Sequence, residues 1–412
     1  MPILTINSVG ASMTFDSADL KVLNPLLSDH PTGMGVAAEG IARCLPEGAV
    51  PQADRVFRWI NSRMPLGPLR IVLRQVAVEA LAWWYRKNLV LFTTHHGPML
   101  QHGRYVVVVA DFICLQRPFQ NRMQSLSFLL CLPRILKNST AVVTISAVVE
   151  GQLKRHFPEL DQPVGVIPSV SWRIENYQPG VATVAARVAA RHFIFVGANY
   201  RHKRLDAALD AIRRLRALGE PVRFTAVGVA REVWGISASD EELERDGIRL
   251  VKYASTAEIE ALYDSATALL FLSEMEGFGL PPLEAMKKGC PAICNDLPEL
   301  REVSGDAAIY VDVNAPEALA ELLLRILRGK CNELLEAKRV VGFERTRLYE
   351  VATVTRRWRE FLEKLAGKPA EGTPTGSAEV ELPSPESTPE KLPPGGSQAC
   401  SPRRLDPADS GF

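Results

Sequence analysis

Long apolar runs are the first thing missing from this chain of 412 residues. None approaches the ~18 residues that a helix needs to cross a bilayer. Missing too is any C-x-x-C pair. The seven cysteines, from Cys44 to Cys400, show neither zinc-like clustering nor a disulfide framework, which points to free thiols in a reducing compartment. An excess of one charge is also absent. Lys and Arg number 48 against 47 Asp and Glu, so a net charge of +1 gives no global electrostatic case for nucleic acid or an acidic partner. The opening Met-Pro-Ile-Leu-Thr-Ile-Asn lacks the basic-then-apolar build of a secretory signal. The expected location is the cytoplasm, either free or at the cytoplasmic face of the membrane.

What the chain does have is ordinary globular bulk. Apolar residues make up 47% and charged residues 23%, and the length exceeds one core, so two domains are expected. From Lys368 to Phe412 the composition shifts to Pro, Gly, Ser and Glu with almost no large apolar residues, which reads as a disordered tail.

The most informative stretch runs from Ala268 to Gly289. Ala268–Leu272 suits a buried parallel strand, Pro281 and Pro282 suit the opening turn of a helix, and Gly289 suits its end after two turns. Strand, glycine loop and helix together aim backbone N–H groups at an anion. Glu276 on the loop and Glu284 in the first helical turn frame it. Upstream, the expected strand His192–Gly197 leads into Arg201-His202-Lys203-Arg204 and then a helix from Leu205 to Leu218. Cations at a helix start oppose its dipole, so Arg201 and Lys203 are assigned to a bound phosphate.

Earlier segments are less specific. Gly33 and Gly35 form a Gly-x-Gly turn before a helix that runs to about Leu45. Arg55–Lys87 reads as amphipathic helix broken near Pro65–Pro68, and the cluster Trp83-Trp84-Tyr85-Arg86-Lys87 at its end is expected to pack its aromatics on the sheet, a membrane-interface patch being the other reading. His95 and His96 lie on a loop at a strand's carboxyl end, where a hydrogen-bonding role suits them better than a metal site. Tyr105–Ala110 is a strand ending at Asp111, and residues 332–365 read as one closing helix.

The string Glu276-Gly-Phe-Gly-Leu-Pro-Pro-Leu-Glu284-Ala-Met, followed by Gly289-Cys290-Pro291, closely resembles the nucleotide-sugar signature of the retaining GT-B glycosyltransferases of family 4. The resemblance covers roughly residues 25–365 and is strong from about 190 onward. It implies an α/β fold with two Rossmann-like domains facing each other across a cleft and a C-terminal helix returning to the first domain. The implied division is an acceptor domain over 1–172, a crossover over 173–191, a nucleotide-sugar domain over 192–345, the closing helix over 346–367 and the tail over 368–412.

By that resemblance, Glu276 orients the transferred sugar and Glu284 holds the ribose hydroxyls. Lys203, Arg201 and the amides of Gly277, Phe278, Gly279 and Leu280 carry the charge that develops on the donor's β-phosphate, and Gly33 and Gly35 face the donor phosphates. Asp111 is counted with Glu276, Lys203 and Arg201 as catalytic. No divalent metal and no cofactor are implied beyond the donor, which is GDP-mannose first and a UDP-hexose second. The acceptor is a glycan or lipid-linked saccharide in polysaccharide or lipopolysaccharide assembly, with transfer retaining anomeric configuration. Two departures stand out. Ala110 replaces the histidine that relatives carry before the aspartate, with His95, His96 and His102 as nearby substitutes, and Pro168-Ser169-Val170 lacks the usual Pro-Asn-Gly turn. These departures support the alternative of a non-catalytic nucleotide-sugar binder. A sugar-nucleotide epimerase on the same scaffold is the weaker third reading.

Overall fold

A computed structural model describes residues 19–28, 33–46, 48–64, 67–116, 122–171 and 182–366. The tail and residues 173–181 of the crossover read from the sequence lie outside the described residues.

Short valine- and leucine-rich runs, apolar on both faces, form a parallel sheet in each half of the chain, since only strands covered on both sides can be apolar throughout. The first half runs β1 (Leu20–Leu23), α1 (Gly33–Arg43), α2 (Arg55–Arg63), α3 (Pro68–Trp84), β2 (Leu89–Phe92), β3 (Arg104–Val109), α4 (Ile113–Gln116), α5 (Arg122–Asn138), β4 (Ala141–Thr144), α6 (Ala147–His156) and β5 (Val164–Val166). Its five strands pair in the order β1-β2-β3-β4-β5, with Val106 of β3 opposite Ala141 of β4.

The second half runs α7 (Val184–Ala190), β6 (His192–Val196), α8 (Leu205–Ala217), β7 (Arg223–Val227), α9 (Arg231–Trp234), α10 (Asp240–Arg245), β8 (Ile248–Val251), α11 (Thr256–Ser265), β9 (Ala268–Phe271), α12 (Leu280–Lys287), β10 (Ala292–Asn295), α13 (Pro298–Ser304), β11 (Ile309–Val311), α14 (Pro316–Leu327), α15 (Asn332–Arg347) and α16 (Val351–Leu365). Its strand order is β11-β10-β9-β6-β7-β8, all parallel. The order reverses between β6 and β9, and the loops leaving those two neighbouring strands therefore part to open a crevice at the sheet's carboxyl edge.

The closing segment differs from a single helix over 332–365. α15 ends at Arg347, Glu350 is extended at φ −71° and ψ 147°, and α16 starts again at Val351. The break buries Tyr349, whose ring meets Phe278 edge to face at 5.5 Å. α16 then crosses to the first domain, where the Phe361 ring lies 2.6 Å from the point a Cβ on Gly165 of β5 would occupy.

A second correction concerns the aromatics at the end of α3. Trp83 and Trp84 are 52% and 70% exposed instead of packing on the sheet. α3 places Val78 and Ala82 against the core, and the helical period leaves Leu69, Val72, Val76 and Trp83 on the opposite side. Among the described residues no helix is long and apolar enough to cross a membrane.

Candidate active site in the interdomain cleft

The crevice between β6 and β9 receives two loops of opposite charge. The one after β6 carries Lys203 and the one after β9 carries Glu276. Lys203 Nζ donates to Glu276 Oε1 at 2.6 Å, with the side chains 14% and 8% exposed. Two further bonds join the loops. The Glu274 N–H donates to the His202 carbonyl at 2.7 Å, and Arg204 donates to the Glu274 carboxylate at 2.7 Å. Arg204 adopts φ 53°, a left-handed turn that swings the chain into α8. Arg201 is not drawn into this pair. It is exposed and lines a separate recess with Asp206, Asp210, Arg213 and Trp234.

Asp111 arrives from the other domain, at the end of β3. A Cβ on Gly277 would fall 2.1 Å from the Ala110 carbonyl oxygen and 2.9 Å from the Asp111 Cβ, so the loop can approach the first domain only with glycine there. Ser146 Oγ donates to the Gly277 carbonyl at 3.3 Å from the same side. Burial raises the pKa of Asp111, and the charge of Glu276 adds to that rise, while the Ile113 N–H and Lys203 oppose it. The structure thus brings Lys203, Glu276, Gly277 and Asp111 together. The histidines near the position of Ala110 are engaged elsewhere. His102 faces Glu79 at 3.1 Å, and His95 stacks on His96 with centroids 4.2 Å apart.

Glu284 opens the second turn of α12, and not its first as the sequence suggested, because the helix starts at Leu280, with the prolines in the opening positions where a missing N–H costs nothing. The glutamate is 2% exposed. Its carboxylate accepts from Ser171 Oγ at 2.5 Å and from Tyr263 Oη at 3.2 Å. Phe278 and Leu280 are buried, and Gly279 takes φ +106° with Leu300 close by. Gly33 is exposed at the start of α1 and Gly35 is buried two residues on. Among the described residues no group of three or more His, Cys, Asp or Glu side chains could hold a metal ion.

Sequence reasoning did not find the contacts that lock the two domains. Ser146 caps α6 by accepting from the Val149 N–H, and Glu302 of the second domain completes the helix end. Its two oxygens accept from the Ala147 N–H at 2.7 Å and the Val148 N–H at 2.9 Å. The helix N-terminus favours that negative charge. Gln152 Nε2 donates to Glu299 Oε1 at 2.8 Å beside it. The only local signal was the strand, serine, helix order at 141–157, which shows the cap but not its distant partner.

Residues 185–340 match a family model described as glycosyl transferases group 1. Over 242 residues the chain is 26% identical to the O-antigen chain mannosyltransferase RfbU of Salmonella typhimurium, covering 58% of this chain and 64% of RfbU. The chain thus spans a little under two thirds of that relative's length. Among solved structures, HepE of Anabaena in complex with UDP and glucose aligns with a TM-score of 0.58 at 14% identity, over 84% of this chain and 100% of that one. WaaG, a glycosyltransferase involved in lipopolysaccharide biosynthesis, aligns with a TM-score of 0.58 at 15% identity, over 82% of this chain and 99% of that one. At such identities these two likenesses bear on the fold alone.

Proposed function

We propose, from the match of residues 185–340 to the glycosyl transferases group 1 model and from the GT-B fold, a transferase that moves a hexose from a nucleotide sugar to a glycan or lipid-linked saccharide. The observation that carries this reading is the Lys203–Glu276 pair at the sheet's switch point, with Asp111 facing it from the opposite domain. A bond of 2.6 Å between two largely buried ions holds a cation ready without leaving it unpaired before the donor arrives.

On donor binding, Lys203 turns to the β-phosphate and neutralises the charge that grows as the anomeric C–O bond breaks, a fixed charge acting where water is excluded. Glu276 then accepts from the sugar hydroxyls. The amides from Gly277 to Leu280, at the opening of α12, add oriented dipoles. Glu284 accepts from the ribose. The acceptor hydroxyl attacks on the face from which the nucleotide leaves, with the departing phosphate taking its proton, so the configuration is retained. No step requires a metal.

Mannose from GDP-mannose is the first donor because RfbU is named a mannosyltransferase, and a UDP-hexose is the second. The acceptor is assigned to polysaccharide or lipopolysaccharide assembly because RfbU is named an O-antigen chain mannosyltransferase. Work at the cytoplasmic face of a membrane is supported by exposed apolar residues on two helices of the first domain. These are Leu69, Val72, Val76 and Trp83 on α3, and Leu126, Leu129 and Leu130 on α5. Exposed Arg86, Lys87, Arg134 and Lys137 accompany them, and no Asp or Glu occurs between Asp111 and Glu150. Aromatic, apolar and basic side chains together suit the headgroup zone of an anionic bilayer.

The test is nucleotide release from GDP-mannose and UDP-glucose, with and without a membrane extract carrying lipid-linked saccharides. Release accelerated by the extract, with label moving to lipid, supports the transferase. Binding of a nucleotide sugar without any release favours a non-catalytic binder, the reading to which Ala110 at the end of β3 lends weight.

A further inference from the structure

A second polar site lies in the first domain, away from the Lys203–Glu276 pair. Between α3 and α5 there is a narrow, partly open recess, with about 20 Å³ of enclosed space behind its mouth, whose polar lining is Arg74, Gln75, His95, His96 and Ser127. His95 is 6% exposed, and its Nδ1 is buried without a hydrogen-bond partner. Among the described residues no hydrogen bond or ion pair reaches the half-buried Arg74 guanidinium. Glu79, one turn along α3, is already occupied. Its carboxylate accepts from Gln75 Nε2 at 3.0 Å and from the Met99 N–H at 2.7 Å, and it faces His102 at 3.1 Å.

A desolvated cation without a counterion is costly, and so is a buried ring nitrogen without a partner. The titration behaviour reflects that imbalance. Burial, with the charge of Arg70, pushes Arg74 down to about 10, and burial with the charge of Arg74 pushes His95 down to about 3. An oxyanion would relieve both at once. The planar guanidinium fork matches two oxygens of a phosphate, and the His95 imidazole and Ser127 hydroxyl can donate to the rest, the Gln75 amide being held by Glu79 and the Gly97 carbonyl.

We propose that this recess binds a phosphoryl group carried on a lipid, the phosphate or diphosphate that links the acceptor saccharide to its carrier. The proposal rests on the reading that the first domain takes a lipid-linked acceptor. Two observations place and select the ligand. The His95 ring lies 4.9 Å from Phe128, which lies 6.0 Å from Phe112, the residue after Asp111, so two aromatic rings in series connect the recess to the cleft. The helices that line it also turn Leu69, Val72 and Val76 (α3) and Leu126, Leu129 and Leu130 (α5) to solvent, which gives an acyl or prenyl chain apolar surface beside the phosphate site. A saccharide carboxylate would use the recess but not that surface.

The experiment is calorimetric titration of the full chain with pyrophosphate, farnesyl diphosphate and galacturonate. It uses the wild type, Arg74→Gln, His95→Asn and Lys203→Ala, with thermal unfolding as the check on folding. The proposal expects farnesyl diphosphate to bind more tightly than pyrophosphate, to weaken at least tenfold in Arg74→Gln and in His95→Asn, and to persist in Lys203→Ala. Binding that survives both recess variants and disappears in Lys203→Ala would overturn it by assigning the anion to the cleft. Galacturonate binding as tightly as farnesyl diphosphate, or farnesyl diphosphate binding no more tightly than pyrophosphate, would overturn the lipid-borne source. Failure to bind any of the three would end the proposal. Because the readout is binding of a diphosphate, it neither requires nor predicts transfer from a nucleotide sugar, so the two readings fail separately.

Discussion

Ser171→Ala is the substitution with the least intuitive expected effect. Ser171 is 1% exposed and gives its hydroxyl proton to Glu284 at 2.5 Å, so the carboxylate proposed for the ribose is held by the protein itself. A hydrogen bond to a buried charge contributes about 1.5–3 kcal/mol. Without the serine, Glu284 keeps Tyr263 at 3.2 Å but loses its shorter bond. The unliganded protein loses that stabilisation, whereas the liganded one recovers it from the ribose hydroxyls. At about 1.4 kcal/mol per tenfold, nucleoside diphosphate should bind about tenfold to a hundredfold more tightly to the variant. The free variant should unfold earlier in denaturant by the same free energy. Calorimetric titration with GDP and UDP, paired with urea unfolding, reads both sides of that balance. Affinity that is unchanged or weaker, in a variant whose free stability has fallen, would show that the ribose does not replace Ser171 at Glu284.

Other outcomes follow from neighbouring contacts. Glu302→Gln removes the charge that two N–H groups of α6 share, so the closed arrangement should lose about 2 kcal/mol and the radius of gyration should rise in solution scattering, an unchanged radius counting against the latch. Lys203→Ala should lower turnover by about 10²–10³ and donor affinity by less, because its charge partner develops in the transition state; equal losses in both would mean simple phosphate anchoring. Asp54 accepts from the Asn24 N–H at 3.0 Å, and burial pushes its carboxyl from 3.8 up to about 7. The folded state therefore keeps a proton that the unfolded chain releases near 3.8, and stability falls as pH rises from about 4 to 7. Asp54→Asn should remove that decline and stabilise the protein by about 1–3 kcal/mol at pH 8, with little effect at pH 4; equal shifts at both would exclude the proton as the cause.

What could be read from the sequence was local. The strand, glycine loop and helix over 268–289 is found within a residue or two of its expected bounds, because proline at a helix start and glycine past its end act within one turn. The basic loop after β6 was visible for the same reason, although Arg201 and Lys203, two residues apart, point to different recesses. The short helices α9 and α10 were missed even though Ser239 and Glu242 make a capping box that sequence spacing displays. Other features depend on packing between distant segments. The Glu302 contacts with Ala147 and Val148 join residues 155 and 154 apart, and no local rule pairs them. The exposure of Trp83 and Trp84 was misjudged because apolar character says that a face seeks cover, not which element supplies it. The break at Leu348–Glu350 was hidden because no proline or glycine marks it and Tyr349 is held by Phe278 of another loop.

The central claim is that a nucleotide sugar binds where the loops after β6 and β9 meet, with its phosphates on Lys203. Calorimetric titration of the wild type and Lys203→Ala with GDP-mannose and UDP-glucose tests it most directly. The account predicts saturable binding of one of the two sugars to the wild type, GDP-mannose first, with affinity at least tenfold weaker in the folded variant. Equal affinity in both proteins, or no binding of either sugar to the wild type, would contradict it.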